Sequence, residues 1–244
     1  MLGTQLVSMV LVTSIAALWH AMTGFGFALV AVPLLSVLVG PRSAVVTVVV
    51  ISLMLYLGAW TRTSADVDTV LVRRTVGYAL IGLPLGAVAL VSLGERVLLV
   101  LVGTATAVLA GLLVFRRQRV IVPRARNFVA ACVSSGVLLS STGMNGPPLV
   151  LSYQQLGLSP AGFRANLQAS FALQQVIAVL LFAVSGQLTT EVLQLVLVGV
   201  PALALGWWVG NGVFRRMRAD QHAVLVFVAL LGAAATALLR AATL

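Results

Sequence analysis

Apolar residues run almost unbroken from Gln5 to Gly40, farther than one membrane crossing needs, and the run is interrupted near its middle by Thr23-Gly24-Phe25-Gly26-Phe27. A second run of this kind, from Asn127 to Gly157, is interrupted at Ser141-Thr142-Gly143-Met144-Asn145-Gly146-Pro147-Pro148. Uninterrupted apolar segments long enough to cross about 30 Å of hydrocarbon at 1.5 Å per residue lie at 43–61, 76–92, 97–115, 165–184, 192–214 and 222–239. Helices are the predicted form of all of them, because hydrocarbon offers no partner to an open backbone amide or carbonyl.

The pattern occurs twice. Thr23-Gly24 and Thr142-Gly143 are 119 positions apart, as are Pro41 and Pro160, and Gly82 and Pro84 recur 117 positions on as Gly199 and Pro201. The chain therefore divides into a first transmembrane repeat, 1–121, and a second, 122–244, joined in one integrated membrane domain. Two copies of a broken hydrophobic element point to a transporter whose site lies at the repeat interface.

Composition narrows the class. Hydrophobic residues make up 61% of the chain and charged ones 8%, where a soluble globular protein carries about a quarter. This is the composition of a polytopic membrane protein. The formal charge of +10 falls in the short connections between spans, where it acts on topology and on the lipid bilayer rather than on nucleic acid. One cysteine, Cys132, excludes an internal disulfide. No Lys or Arg precedes the first apolar run, which argues against a cleaved signal peptide. The exclusive use of Arg over Lys, with abundant Ala and Val, reads as a GC-rich bacterial genome.

The arginines choose between two paths. If each broken stretch crosses the membrane once, they divide into nine on one side (62, 73, 74, 116, 117, 119, 124, 126, 240) and six on the other. If each stretch folds back to the side it entered, twelve (62, 73, 74, 116, 117, 119, 124, 126, 164, 215, 216, 218) face three (42, 96, 240). The excess of positive charge on cytoplasmic loops selects the second path. It predicts an all-α fold in which each half is a folded-back broken element followed by three transmembrane helices, the halves forming an inverted repeat. The segments 62–74, 116–126, 164 and 214–220 are then cytoplasmic and both termini face outward. Pairs of half-helices are expected in the broken stretches, since about 16 residues before Gly24 give about 24 Å of helix.

Irregular backbone at membrane depth must line protein or a water-filled cavity, so the breaks supply the candidate substrate-binding residues: Thr23, Gly24, Gly26, Thr142, Gly143, Asn145 and Gly146. Asn145 is expected to cap a helix that starts at Pro147-Pro148 and runs through Tyr153, its open amides and dipole attracting an anion. A helix from Phe27 to Leu38, kinked at Pro33, is the counterpart in the first break. Thr23 and Thr142 are expected to approach one cavity near mid-membrane. Close helix packing is the alternative use of the break glycines.

All five acids, Asp66, Asp68, Glu95, Glu191 and Asp220, fall at connections, which disfavours a carboxylate cation path. The remaining intramembrane polar residues suit an anion. Coupling or pathway candidates are His20, Arg164, Gln168 and Gln175. His20 either titrates or bonds a neighbouring helix, the glutamines either line a path or bridge helices, and Arg164 either guides an anion or anchors the topology. Nothing suggests a catalytic residue, a metal site or a cofactor: zinc-protease and nucleophile-elbow motifs are missing, as is a nucleotide-binding loop.

Thr23-Gly24-Phe25-Gly26-Phe27 with Ala31-Val32-Pro33-Leu34, the duplicated break at Thr142 to Pro148, and Gly82-Leu83-Pro84-Leu85-Gly86 resemble the sulfite exporter (TauE/SafE) family of membrane permeases. The resemblance covers nearly the whole chain. It implies a multi-pass permease of the bacterial inner membrane that moves small anions such as sulfite, sulfonates or related organosulfur compounds, often outward. Gly24-Phe25-Gly26 departs from the family's more glycine-rich first break, which bears on the choice of substrate. The expected function is a secondary transporter working by alternating access around the two broken helices. An anion channel or a membrane assembly partner without active transport is the alternative. A homo-oligomer is compatible with the sequence.

Overall fold

A computed structural model describes residues 3–23, 26–115, 125–214 and 235–243. Its elements are α1 (Gly3–Thr23), α2 (Phe27–Val39), α3 (Pro41–Thr63), a single 3-10 turn (Ser64–Asp66), α4 (Thr69–Ser92), α5 (Glu95–Phe115), α6 (Ala125–Thr142), α7 (Gly146–Gln154), α8 (Pro160–Val184) and α9 (Thr190–Phe214). Residues 235–242 are also helical, and there is no strand among the described residues. The fold is that of an all-α membrane protein.

The duplicated sequence marks fall at equivalent places. Thr23 and Thr142 close α1 and α6, Pro41 and Pro160 open α3 and α8, and Pro84 and Pro201 lie inside α4 and α9. Proline suits a first helical position, where its missing N–H has no intrahelical partner to lose. Four helices among the described residues, α3, α4, α8 and α9, are long and apolar enough to cross a membrane. The expected span at 97–115 is covered by α5, and most of the span at 222–239 lies outside the described residues, as does nearly all of the 116–126 connection.

The broken stretches depart from the expected pairs of half-helices. α1 has 21 residues and α6 has 18, about 31 and 27 Å. α2 has 13 and α7 has 9, about 20 and 14 Å. Each break therefore joins a long arm to a short one. The long arms extend farther toward their amino ends than the apolar count suggested, taking in Gly3 and Ala125.

The described helices gather into two compact units, each drawing on both sequence halves: 1–51, 93–117 and 187–244 in the first, 52–92 and 118–186 in the second. In the first unit α1 packs on α9 and on α2, and α2 on α5. A Cβ at Gly206 would overlap the backbone of Ser14, and the Ser14 hydroxyl donates to the Ala202 carbonyl at 3.2 Å. Arg42 at the start of α3 donates to the Leu93 carbonyl, just ahead of α5, at 2.8 Å.

In the second unit α4 packs along α6 with the two backbones in contact. A Cβ at Gly82 would overlap the Val133 carbonyl, one at Gly86 the Val137 carbonyl, and one at Gly136 the Ala79 carbonyl. Close approach through small residues is the characteristic way membrane helices gain dispersion contact, since lipid removes the hydrophobic drive between them. Ser140 fastens the pair by donating to the Leu83 carbonyl at 2.6 Å. Tyr78 also meets Phe128 edge to face, so position numbers rise together along both helices and α4 and α6 run parallel.

The start of α8 joins the same end. The Asn166 carboxamide accepts from the Asp68 backbone N–H at 2.8 Å and donates to the Gly162 carbonyl at 2.7 Å, while Asp68 accepts from the Val70 and Leu71 amides as the cap of α4. Arg73, Arg74, Arg126 and Arg164 all lie near these helix starts and all are exposed. A path that crossed once through 127–157 would have carried Arg164 to the end opposite Arg73 and Arg74. The observed arrangement agrees with the fold-back.

Candidate functional site

The second break is the better defined. α6 ends where Gly143 takes a left-handed conformation (φ 74), and the Gly143 N–H donates to the Leu139 carbonyl at 2.8 Å. That bond is the simple left-handed termination of a helix, for which a residue without Cβ is favoured. The chain then reverses, and the Asn145 carbonyl accepts from the Ser135 hydroxyl at 3.0 Å. Ser135 is ten residues into α6, about 15 Å along it, so the start of α7 lies beside the middle of α6. Tyr153 anchors the other end of α7: its hydroxyl is 2.7 Å from Thr75 of α4 and 2.9 Å from Ser170 of α8.

The capping role expected of Asn145 is not what the structure shows. Asn145 stands at the N-cap position of α7 with helical backbone angles (φ −87, ψ −15), and its side chain makes no cap bond. The reason lies in the two residues that suggested a helix start. A cap side chain accepts from the second or third amide of its helix, and here those positions are Pro147 and Pro148, which have no N–H. The same deletion removes two of the amides at the head of α7, those of its second and third residues. The cap expected of Asn145 is corrected accordingly.

The side chain of Asn145 instead remains buried, 3% exposed, with Nδ2 unpartnered. The Thr142 hydroxyl donates to the Leu138 carbonyl at 2.8 Å, and those of Ser140 and Ser141 reach back to Gly136 and Val137. The proton of Thr142 is thus committed within α6. Sequence reasoning grouped Asn145 with Thr142 and the glycines, yet of that group Asn145 alone presents an unpaired buried side-chain donor among the described residues.

At the first break, Gly26 stands at the N-cap position of α2 in a left-handed conformation (φ 88). The indole Nε1 of Trp19 lies within 3.2 Å of where a Cβ at that position would be. Trp19 and His20 are both buried. Gly24 lies outside the described residues, as do Phe25 and the side chain of Thr23. Pro33 falls within α2 as expected.

Of the pathway candidates, Gln168 accepts from Thr63 at 3.2 Å and Gln175 from Ser52 at 3.1 Å. Both bonds tie α8 to α3, the bridging use of the two residues. Arg164 is exposed near the start of α8, which the Ser159 side chain caps. Gln174, beside Gln175, is 0% exposed, and its carboxamide lies 3.0 Å from the Ser135 hydroxyl, whose one proton serves the Asn145 carbonyl as well.

Charge is arranged as expected. Asp66, Asp68, Glu95 and Glu191 are exposed, and Asp220 lies outside the described residues. The buried polar groups among the described residues are Ser, Thr, Asn and Gln with His20. No group of His, Cys, Asp or Glu able to hold a metal ion occurs among the described residues.

A family model described as Sulfite exporter TauE/SafE matches residues 9–238. The chain belongs to the sulfite exporter TauE/SafE family. No curated protein and no solved structure matches it. Membership in this family of membrane permeases, with the apolar helices described above, makes the TauE/SafE protein a multi-pass membrane protein of transport function.

Proposed function

We propose that this TauE/SafE protein is a secondary transporter of the bacterial inner membrane that moves a small anion, such as sulfite, a sulfonate or a related organosulfur compound, outward by alternating access. The break from Thr142 to Pro148 is its substrate-contacting element in the second half, and the break at Thr23 to Gly26 its counterpart in the first. The observation that carries this reading is the unpaired Nδ2 of Asn145, buried beside Ser135 at the middle of α6. An amide donor left open in that setting favours a ligand that brings oxygen acceptors.

Reconstituted in proteoliposomes, the protein is expected to exchange labelled sulfite for internal sulfite, and methanesulfonate in competition with it. Counterflow marks a carrier. Flux without counterflow would instead make it a channel, and flux of none of these anions would overturn the anion reading.

The gathering of arginines at the starts of α4, α6 and α8 supports a cytoplasmic placement for that end. In a Cys132→Ser background, single cysteines placed at 64 and 121 are expected to resist a membrane-impermeant maleimide in intact cells, while cysteines near both termini react. Labelling at 121 from outside, with none at the termini, would reverse the orientation.

A further inference from the structure

We propose that the exposed face of α4 from Arg74 to Val88 seats one anionic phospholipid, its phosphodiester against Arg74 and an acyl chain along the aliphatic residues beyond. The site lies on the lipid-facing surface and is independent of the substrate moved. Arg74, Tyr78, Ile81, Leu85 and Val88 follow one another at alternating spacings of four and three, so they form a single stripe along the helix. All five are exposed, Ile81, Leu85 and Val88 by 59%, 60% and 63%. From Tyr78 to Val88 the helix rises about 15 Å, half of a hydrocarbon layer about 30 Å thick. The stripe therefore presents a cation, an interfacial aromatic and an aliphatic track in the order, and over the length, of a phospholipid in one leaflet. Gly77, exposed between Arg74 and Ile81, has no atom within 4 Å of where a Cβ would lie, which leaves a notch on this face. Beside it the Tyr78 ring is set edge to face on Phe128 of α6, with centroids 6.3 Å apart. Tyrosine is favoured at headgroup level, where its ring is apolar and its hydroxyl wet.

Charge selects the headgroup. Arg73 adjoins Arg74, Arg126 lies on the first turn of α6 at the same end, and Arg164 is near the start of α8, which the Asp68 amide ties to α4 by donating to Asn166. Against these four exposed arginines stand two exposed carboxylates, Asp66 and Asp68, and Asp68 is engaged with the Val70 and Leu71 amides. Positive charge is in excess at this end of the unit. Clusters of basic side chains beside a membrane helix attract anionic headgroups, whereas a zwitterionic headgroup brings a cation of its own and gains less.

The test is lipid binding by the full-length protein, purified in a neutral detergent and stripped of lipid. Phosphatidylglycerol should raise its melting temperature saturably and remain bound in native mass spectrometry, and phosphatidylcholine should do neither. Arg74→Gln should weaken phosphatidylglycerol binding about fivefold. Gly77→Leu, which fills the notch, should weaken it as well, while Arg96→Gln at the start of α5 should leave it at the wild-type value. Without lipid these variants should melt no lower than the wild type, since each altered position is exposed. Arg73→Gln takes the place of Arg74→Gln if the latter does not purify as monodisperse protein. Equal affinity for the two lipids, wild-type affinity in Arg74→Gln, or an equal loss in Arg96→Gln overturns the proposal. Wild-type affinity in Gly77→Leu removes the acyl chain from this face and overturns the seat on α4. Displacement of the lipid by inorganic phosphate or glycerol 3-phosphate at matched concentration makes the arginines a site for soluble anions, which overturns it too.

Discussion

Replacing Gly136 by alanine should destabilise the protein by about 2–3 kcal/mol, while the same change at Gly77 should be neutral or stabilising by up to about 1 kcal/mol. Both glycines are helical, so intrinsic propensity favours alanine at each. The difference is what the new Cβ meets. At Gly77 nothing lies within 4 Å, whereas at Gly136 the Ala79 carbonyl of α4 occupies the space. Backbone cannot rotate away as a side chain can, so α4 and α6 must separate, and the Ser140 bond to the Leu83 carbonyl goes with them. Thermal unfolding of the two variants in one detergent decides the matter. Equal melting temperatures would mean that the α4 and α6 contact is looser than described.

The second large effect is on transport. Asn145→Leu should lower sulfite counterflow by about tenfold or more at matched amounts of monodisperse protein, with little change in stability. Leucine reproduces the fork of asparagine at Cγ, and the Ser135 bond is kept because it goes to the Asn145 backbone. No cap bond is lost, since none exists. A folding defect is thereby separated from a binding defect in advance. Counterflow at the wild-type rate, with wild-type affinity, would remove Asn145 from the substrate path.

Much of this was legible in the chain. Pro41 and Pro160 marked helix starts because the ring fits a first turn, and the breaks were visible because glycine and polar residues interrupt otherwise continuous apolar runs. The absence of a cap at Asn145 was legible too, in Pro147 and Pro148, but the rule for proline and the rule for caps pull in opposite directions at those positions. The rule that two prolines start a helix prevailed over the fact that they delete its amides. What spacing could not give was the distinction among Gln168, Gln174 and Gln175. It depends on which neighbour each faces, and that follows from the seating of α8 on α3 and α6. The contact of Gly82 and Gly136 was equally hidden, because a glycine in an apolar run reads the same whether it faces lipid or a helix.

The pairing of α1 with α9 bears on how the protein is made. Ser14 and the Ala202 carbonyl it bonds are 188 residues apart, and Gly206 meets the same turn of α1. At about 5–20 residues per second of synthesis, α1 waits on the order of ten seconds or more before its partner leaves the ribosome. During that interval its small-residue face is open to lipid or to the insertion machinery. α4 has a shorter wait for α6. The second unit can therefore assemble while the first still lacks α9, and a chain truncated before α9 should hold a packed α4 and α6 beside an α1 exposed to quality control.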